Sequence, residues 1–100
     1  MTAGHKLSDS EIQGELKTTD GWTRAADKLQ RTYQFEDFVT AFGFMTSSAL
    51  VAERMNHHPE WFNVYRTVRV DLSTHDAGGI TARDFELARA MNAIANRWLR

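Results

Sequence analysis

Leu29-Gln30-Arg31-Thr32-Tyr33-Gln34-Phe35 is the stretch on which the fold turns. Apolar and aromatic side chains alternate with polar ones there, which is the two-residue period of a half-buried strand. Directly after it, from Glu36 to Asn56, the period becomes helical: Phe38, Phe42, Met45, Ala49 and Ala52 recur at three- and four-residue steps. This predicts the longest helix of the chain, and Phe42, Phe44 and Met45 read mostly as core residues, with Gly43-Phe44 also able to line a cleft. A strand handing over directly to a long helix points to mixed architecture.

Working upstream, Trp22 to Ala25 reads as a short strand, and Asp27-Lys28 between the two runs predicts a hairpin. Thr18-Thr19-Asp20-Gly21 reads as a turn. Ser8 and Glu11 have capping-box spacing, so a helix from Ser8 to Lys17 is expected, with Ile12 and Leu16 on one face. Working downstream, Pro59 blocks helix continuation and pushes His58 toward extended backbone. Asn63 to Leu72 reads as a strand, with Val68, Val70 and Leu72 facing one way and Thr67, Arg69 and Asp71 the other. Ala77-Gly78-Gly79 is a loop, Thr81 with Asp84 forms a helix-start signature, and a last helix carries Phe85, Ala88, Met91, Ile94, Ala95 and Trp98. The order helix, two strands, helix, one or two strands, helix suits an α+β single domain over residues 1–100, an antiparallel sheet with helices on one face.

Composition narrows the function. Twelve basic and 13 acidic side chains give a formal charge of −1, which offers no electrostatic footprint for direct nucleic-acid binding. With so little self-repulsion, and with open sheet edges to cover, self-association is expected. The absence of cysteine excludes disulfides, thiolate metal sites and a Cys nucleophile, and fits a cytoplasmic location. No apolar run is long enough to span a bilayer, and the polar N-terminal stretch has no secretory core, so no membrane association is expected.

The chemistry concentrates around His57, His58 and His75. Glu53 precedes His57 by four residues, so on a continuous helix the two share a face and the carboxylate can hold the imidazole in one tautomer. His75 lies in a polar loop beyond the strand, and a loop folded beside the helix end brings three imidazoles together. Plainer readings exist. A histidine at a helix C-terminus is an ordinary dipole partner, a Glu four residues before a His is a common surface pair, Trp61 and Phe62 fit core or interface, and Asp84 fits a helix start. Three histidines could hold zinc, but adjacent ones seldom point at one ion and the His-Glu-x-x-His spacing is missing, so no metal is expected. Ser73 and Thr74 lack the strained elbow of a nucleophile.

Glu53-Arg54-Met55-Asn56-His57-His58-Pro59-Glu60-Trp61-Phe62, followed by Ser73-Thr74-His75-Asp76, closely resembles the signature of the pterin-4a-carbinolamine dehydratases. Phe35-Glu36-Asp37-Phe38 and Ala41-Phe42-Gly43-Phe44-Met45 are also similar, and the resemblance spans nearly the whole chain. It implies three helices on one face of a four-stranded antiparallel sheet, a homodimer or homotetramer, and a lyase without a cofactor. That lyase dehydrates 4a-hydroxytetrahydropterin to quinonoid dihydropterin in tetrahydropterin recycling. By the same resemblance His57, His58, His75, Glu53 and Asp84 are catalytic candidates, and Asn56, Pro59, Trp61, Ser73, Thr74 and Asp76 are substrate-binding candidates. Two positions depart from some relatives: Asn56 stands where they have Asp, and Asp76 where they have Glu.

Imidazoles suit proton delivery to the C4a hydroxyl and proton removal from N5 near neutral pH. His58 is assigned to the hydroxyl, His75 to N5 or to orienting the ring, and His57, held by Glu53, to polarising the hydroxyl, with Asp84 supporting His75 or water. The sequence is equally compatible with a permutation of these roles. The alternative is non-catalytic: animal members of the family also act as dimerisation cofactors for a homeodomain transcription factor, through helices that otherwise pair with another copy.

Overall fold

The alternating run does form a strand, entered through a two-residue turn in which Ala25 pairs with Lys28. A computed structural model describes residues 4–99. In chain order the elements are α1 (Asp9–Leu16), β1 (Thr23–Ala25), β2 (Lys28–Gln34), α2 (Phe38–Met55), β3 (Glu60–Val64), β4 (Thr67–Leu72), a 3-10 turn (His75–Ala77) and α3 (Ala82–Ala95). Caps set the helix starts. Ser8 and Glu11 close a reciprocal capping box on α1, Thr81 and Asp84 close another on α3, and the Asp37 carboxylate accepts from the Thr40 amide to start α2. That amide holds the Asp37 carboxyl below the usual carboxylate range.

The four strands form one antiparallel sheet in the order β1-β2-β4-β3, so α2 carries the chain from β2 across to the far edge and β4 returns to fill the gap. Register decides the faces. Leu29 pairs with Leu72 and Tyr33 with Val68, and these four side chains with Val70 are buried beneath the helices. Gln30, Asp71, Lys28 and Glu60 lie on the opposite face, where a Gln30–Asp71 hydrogen bond of 2.7 Å and a Lys28–Glu60 ion pair of 2.5 Å run across the strands. The helices therefore cover one face and leave a polar ladder on the other, the expected α+β arrangement.

Ala41, Phe44 and Ala52 of α2 and Phe85, Leu87, Ala88, Met91 and Ala95 of α3 complete the core. Phe44 sits 4.7 Å from the Tyr33 ring and 5.0 Å from that of Phe35, measured between centroids. Burial of a phenyl ring like this contributes about 2–3 kcal/mol. Beside it, Asn92 of α3 joins the sheet to the helices: its Oδ1 accepts from Trp22 Nε1, Arg31 Nη1 and the Tyr33 hydroxyl, at 2.9, 2.7 and 2.6 Å. Burial pushes the Tyr33 phenol up to about 12.

Three expectations change. The single strand expected over Asn63–Leu72 is instead the end of β3, a tight turn at Tyr65-Arg66 and β4, with Val64 paired to Thr67 and Tyr65 at φ 50°. The core face of α2 runs through Ala41, Phe44, Ser48 and Ala52, whereas Phe38 and Phe42 are 48% and 53% exposed. This helix is apolar around much of its circumference, so periodicity alone does not fix which stripe faces the sheet. Finally, α3 ends at Ala95, and Trp98 lies beyond it, 49% exposed.

Candidate active site

The site begins where α2 stops. Asn56 takes a left-handed conformation, φ 52° and ψ 45°, and its N–H donates back to Ala52 O and Glu53 O. Asparagine tolerates this conformation better than most residues because its short polar side chain can satisfy local groups. The turn redirects the next two residues. His57 points inward and is 7% exposed, and its Nε2 lies 2.6 Å from Asp84 Oδ1. His58 points outward, with its Nε2 2.8 Å from Glu53 Oε1. The pairing of Glu53 with His57, expected from four-residue helical spacing, is therefore replaced by Glu53 with His58, because the helix ends before His57. Asp84, expected beside His75 or water, instead supports His57.

Asp84 is itself fully buried. As the third residue of α3 it sits where the helix dipole favours negative charge. Its Oδ2 accepts from Thr74 Oγ1 at 2.8 Å and from the Thr81 amide at 2.9 Å, so both carboxylate oxygens are satisfied. A buried carboxylate needs that full set of donors. Opposite, the chain leaves β4 through Ser73 and Thr74. Thr74 N donates to Gly79 O at 2.8 Å, and Gly78, at φ 74°, closes the short 3-10 turn that carries His75 and Asp76. His75 makes no side-chain hydrogen bond among the described residues.

A cleft of about 260 Å³ lies between these segments, lined by Asn56, His57, His58, Ser73, Thr74, His75, Asp76 and Arg83. That is slightly under the ~300–1,000 Å³ usual for drug-sized ligands. A larger depression of about 570 Å³ lies beside Gln34, Phe35 and Trp98, but it contains no imidazole. Of the residues singled out in the sequence, all three histidines, Asn56, Ser73, Thr74 and Asp76 border the cleft. Glu53 and Asp84 stand behind it as partners of His58 and His57, and the Thr74 hydroxyl is engaged by Asp84. Trp61 packs against the core from β3, and neither it nor Pro59 lines the cleft. Among the described residues no three His, Asp or Glu side chains are grouped closely enough to hold a metal ion.

Arg83 is the residue that sequence reasoning missed. Its Nη2 donates to Met55 O at 2.6 Å and Asn56 O at 3.0 Å, tying the end of α2 to the start of α3 while its side chain borders the cleft. An arginine in the first turn of a helix opposes the dipole, and that mismatch is the only signal the sequence offered.

The family described as Pterin 4 alpha carbinolamine dehydratase matches residues 5–94. A protein of Solibacter usitatus, named "Putative pterin-4-alpha-carbinolamine dehydratase", is 61% identical over 90 residues, covering 90% of this chain and 95% of that one. One of the same name from Bradyrhizobium diazoefficiens is 67% identical over 76 residues, 74% of this chain and 76% of its own. A crystal structure from Brucella melitensis, described as a transcriptional coactivator/pterin dehydratase, superposes with a TM-score of 0.89 at 47% identity, covering 91% of this chain and 99% of that one.

Proposed function

Because the chain belongs to the pterin 4 alpha carbinolamine dehydratase family, we propose that it removes water from 4a-hydroxytetrahydropterin, with His57, His58 and His75 supplying the acid–base chemistry. The observation that supports this is the convergence of three imidazoles on one cleft, two of them with Nε2 already engaged by a carboxylate. Among the described residues the Nδ1 of each engaged ring has no hydrogen-bond partner.

Dehydration breaks the C4a–O bond as a proton reaches the hydroxyl oxygen. The N5 proton leaves to a base, and the electron pair it leaves behind closes the C4a=N5 bond of quinonoid dihydropterin. His57 suits the base role: its Nε2–H is anchored on Asp84, so the Nδ1 lone pair takes the N5 proton and the buried carboxylate balances the imidazolium that forms. His58, exposed and paired with Glu53, delivers the proton to the departing hydroxyl and is recharged from solvent. His75 orients the ring, with Asn56, Ser73 and Asp76 contacting its polar edge and Arg83 bracing the end of α2. Trp61 and Pro59 act from behind the cleft by holding the backbone that carries His57 and His58.

The assembly we propose is a homo-oligomer. Val39, Phe42, Thr46 and Leu50 follow one another along one side of α2, and the three apolar residues among them, with Phe38, are exposed in a single chain. A net charge of −1 does little to keep copies apart. Phe42→Lys is expected to lower the mass read by light scattering while leaving the fold intact. An unchanged mass rejects this face as the contact.

Stopped-flow decay of 4a-hydroxytetrahydropterin with and without the protein tests the activity. His57→Ala and His58→Ala are each expected to slow turnover at least ~10-fold, within the range of acid–base contributions. Wild-type decay no faster than the spontaneous reaction rejects the dehydratase reading, and full activity in both variants rejects the histidine assignment.

A further inference from the structure

Thr74 and Thr81 are buried polar residues that the dehydration steps do not use directly, yet their hydroxyls lie 2.7 Å apart and lead to Asp84. Each hydroxyl has one proton to give. Thr74 Oγ1 donates to Asp84 Oδ2, so its proton is committed, and the contact between the two hydroxyls must run from Thr81 to Thr74. Thr81 Oγ1 in turn accepts from the Arg83 amide at 3.2 Å. The chain of donors therefore has one direction: Arg83 N–H to Thr81 O–H to Thr74 O–H to the carboxylate. The Thr81 amide adds a second donor to the same oxygen, at 2.9 Å.

With Oδ2 saturated by donors, an ionised Asp84 presents Oδ1 to His57 as an acceptor, and the imidazole answers with N–H at Nε2. We infer that Thr81 and Thr74 are positioning residues that fix the polarity of the His57–Asp84 bond, and so hold the neutral His57 ring as the Nε2–H tautomer with a lone pair at Nδ1. The inference deepens the proposed role of His57 as base and rests on that reading for its catalytic meaning, but the tautomer itself is a property of the resting protein. Removal of the Thr74 hydroxyl takes a donor from a buried carboxylate, which favours the neutral acid. The carboxyl takes up a proton from solvent and donates it to Nε2, which reverses the bond and leaves the ring's own proton on Nδ1.

Long-range ¹⁵N–¹H NMR of the full chain, recorded at a pH where imidazoles are neutral, reads the tautomer of His57 directly. The wild type is expected in the Nε2–H form. Thr74→Val is expected to raise the Nδ1–H fraction at least ~10-fold, the scale of one lost charge-assisted hydrogen bond, with a parallel fall in kcat. Thr74→Ser, which restores the hydroxyl, is expected to restore both. A wild-type ring in the Nδ1–H form, or a folded Thr74→Val protein with its Nε2–H form undiminished, overturns the inference. Should Thr74→Val fail to fold, the wild-type tautomer still decides by itself, a ring in the Nδ1–H form overturning the inference. Because the spectrum needs no substrate, an absence of dehydratase activity leaves this test standing.

Discussion

Asp84→Asn separates what this carboxylate does for the fold from what it does for the chemistry. Asparagine has the same shape but offers one acceptor and one donor. The Thr74 hydroxyl and the Thr81 amide both donate toward the position of Oδ2, so the amide oxygen must take that place and the NH₂ group must face His57 Nε2. Three charge-assisted hydrogen bonds become neutral ones, each weaker by about 1 kcal/mol, a gross loss of about 3 kcal/mol. Against this, the desolvation of a fully buried carboxylate, worth several kcal/mol, is no longer incurred. The two nearly cancel, and net stability in urea is expected within about 2 kcal/mol of wild type. Turnover has no such compensation: the donated N–H flips the ring to Nδ1–H and removes the lone pair proposed to take the N5 proton. The expected fall is ~10²- to 10⁴-fold, or about 3–5.5 kcal/mol on the barrier. The assay is stopped-flow decay of the carbinolamine, run beside urea denaturation on the same preparation. A folded Asp84→Asn protein that turns over within threefold of wild type would refute the reasoning. Asp84→Ala, which leaves His57 and two donors unpaired, is expected to lose about 3–5 kcal/mol of stability.

Glu53→Gln, at the exposed His58 pair, is expected to lower kcat less than tenfold, because water replaces what the carboxylate supplies; a loss as large as that of Asp84→Asn would show the outer pair to be the essential one. Tyr33 gives a pH signature. Its folded pKa of about 12 lies above the usual phenol value of 10.0, so the folded state holds the proton more tightly, and its contribution is complete below pH 10 and lost as pH rises toward 12. Urea midpoints are expected to fall across that window by the equivalent of about 2–3 kcal/mol, and Tyr33→Phe to flatten the fall; an equal slope in both proteins contradicts the assignment. Ala26, at φ 56° in the β1–β2 turn, is strained for a residue with a Cβ. Ala26→Gly is expected to raise the thermal midpoint by a few degrees, the relief of about 1 kcal/mol outweighing the added chain entropy; a lower midpoint contradicts it.

The sequence was most legible where a local rule acts alone. Ser8 with Glu11 and Thr81 with Asp84 announced two helix starts, and both capping boxes form. The alternation of β4 placed Val68, Val70 and Leu72 on the covered face. It was least legible where an exception to a rule decided the geometry. Tyr65 makes a tight turn without Gly, Asn or Pro, so nothing marked the break between β3 and β4. Phe38 and Phe42 matched a helical stripe as well as Ala41 and Phe44 did, and only the sheet beneath α2 distinguishes them. In the site, the identities of the three histidines were readable, but their partners were not. The four-residue rule joined Glu53 to His57 on the assumption of helix through His57, and one left-handed residue at Asn56 reassigned both carboxylates.

That pivot has a consequence for how the chain can drift in length. Each residue added to an α-helix rotates everything beyond it by about 100°. One extra residue in α2 would swing the inward imidazole out and leave Asp84 facing the wrong side chain. Insertions and deletions between Asp37 and Asn56 are therefore tolerable only near whole turns, and the loops at the hairpin tips are left to absorb single-residue changes.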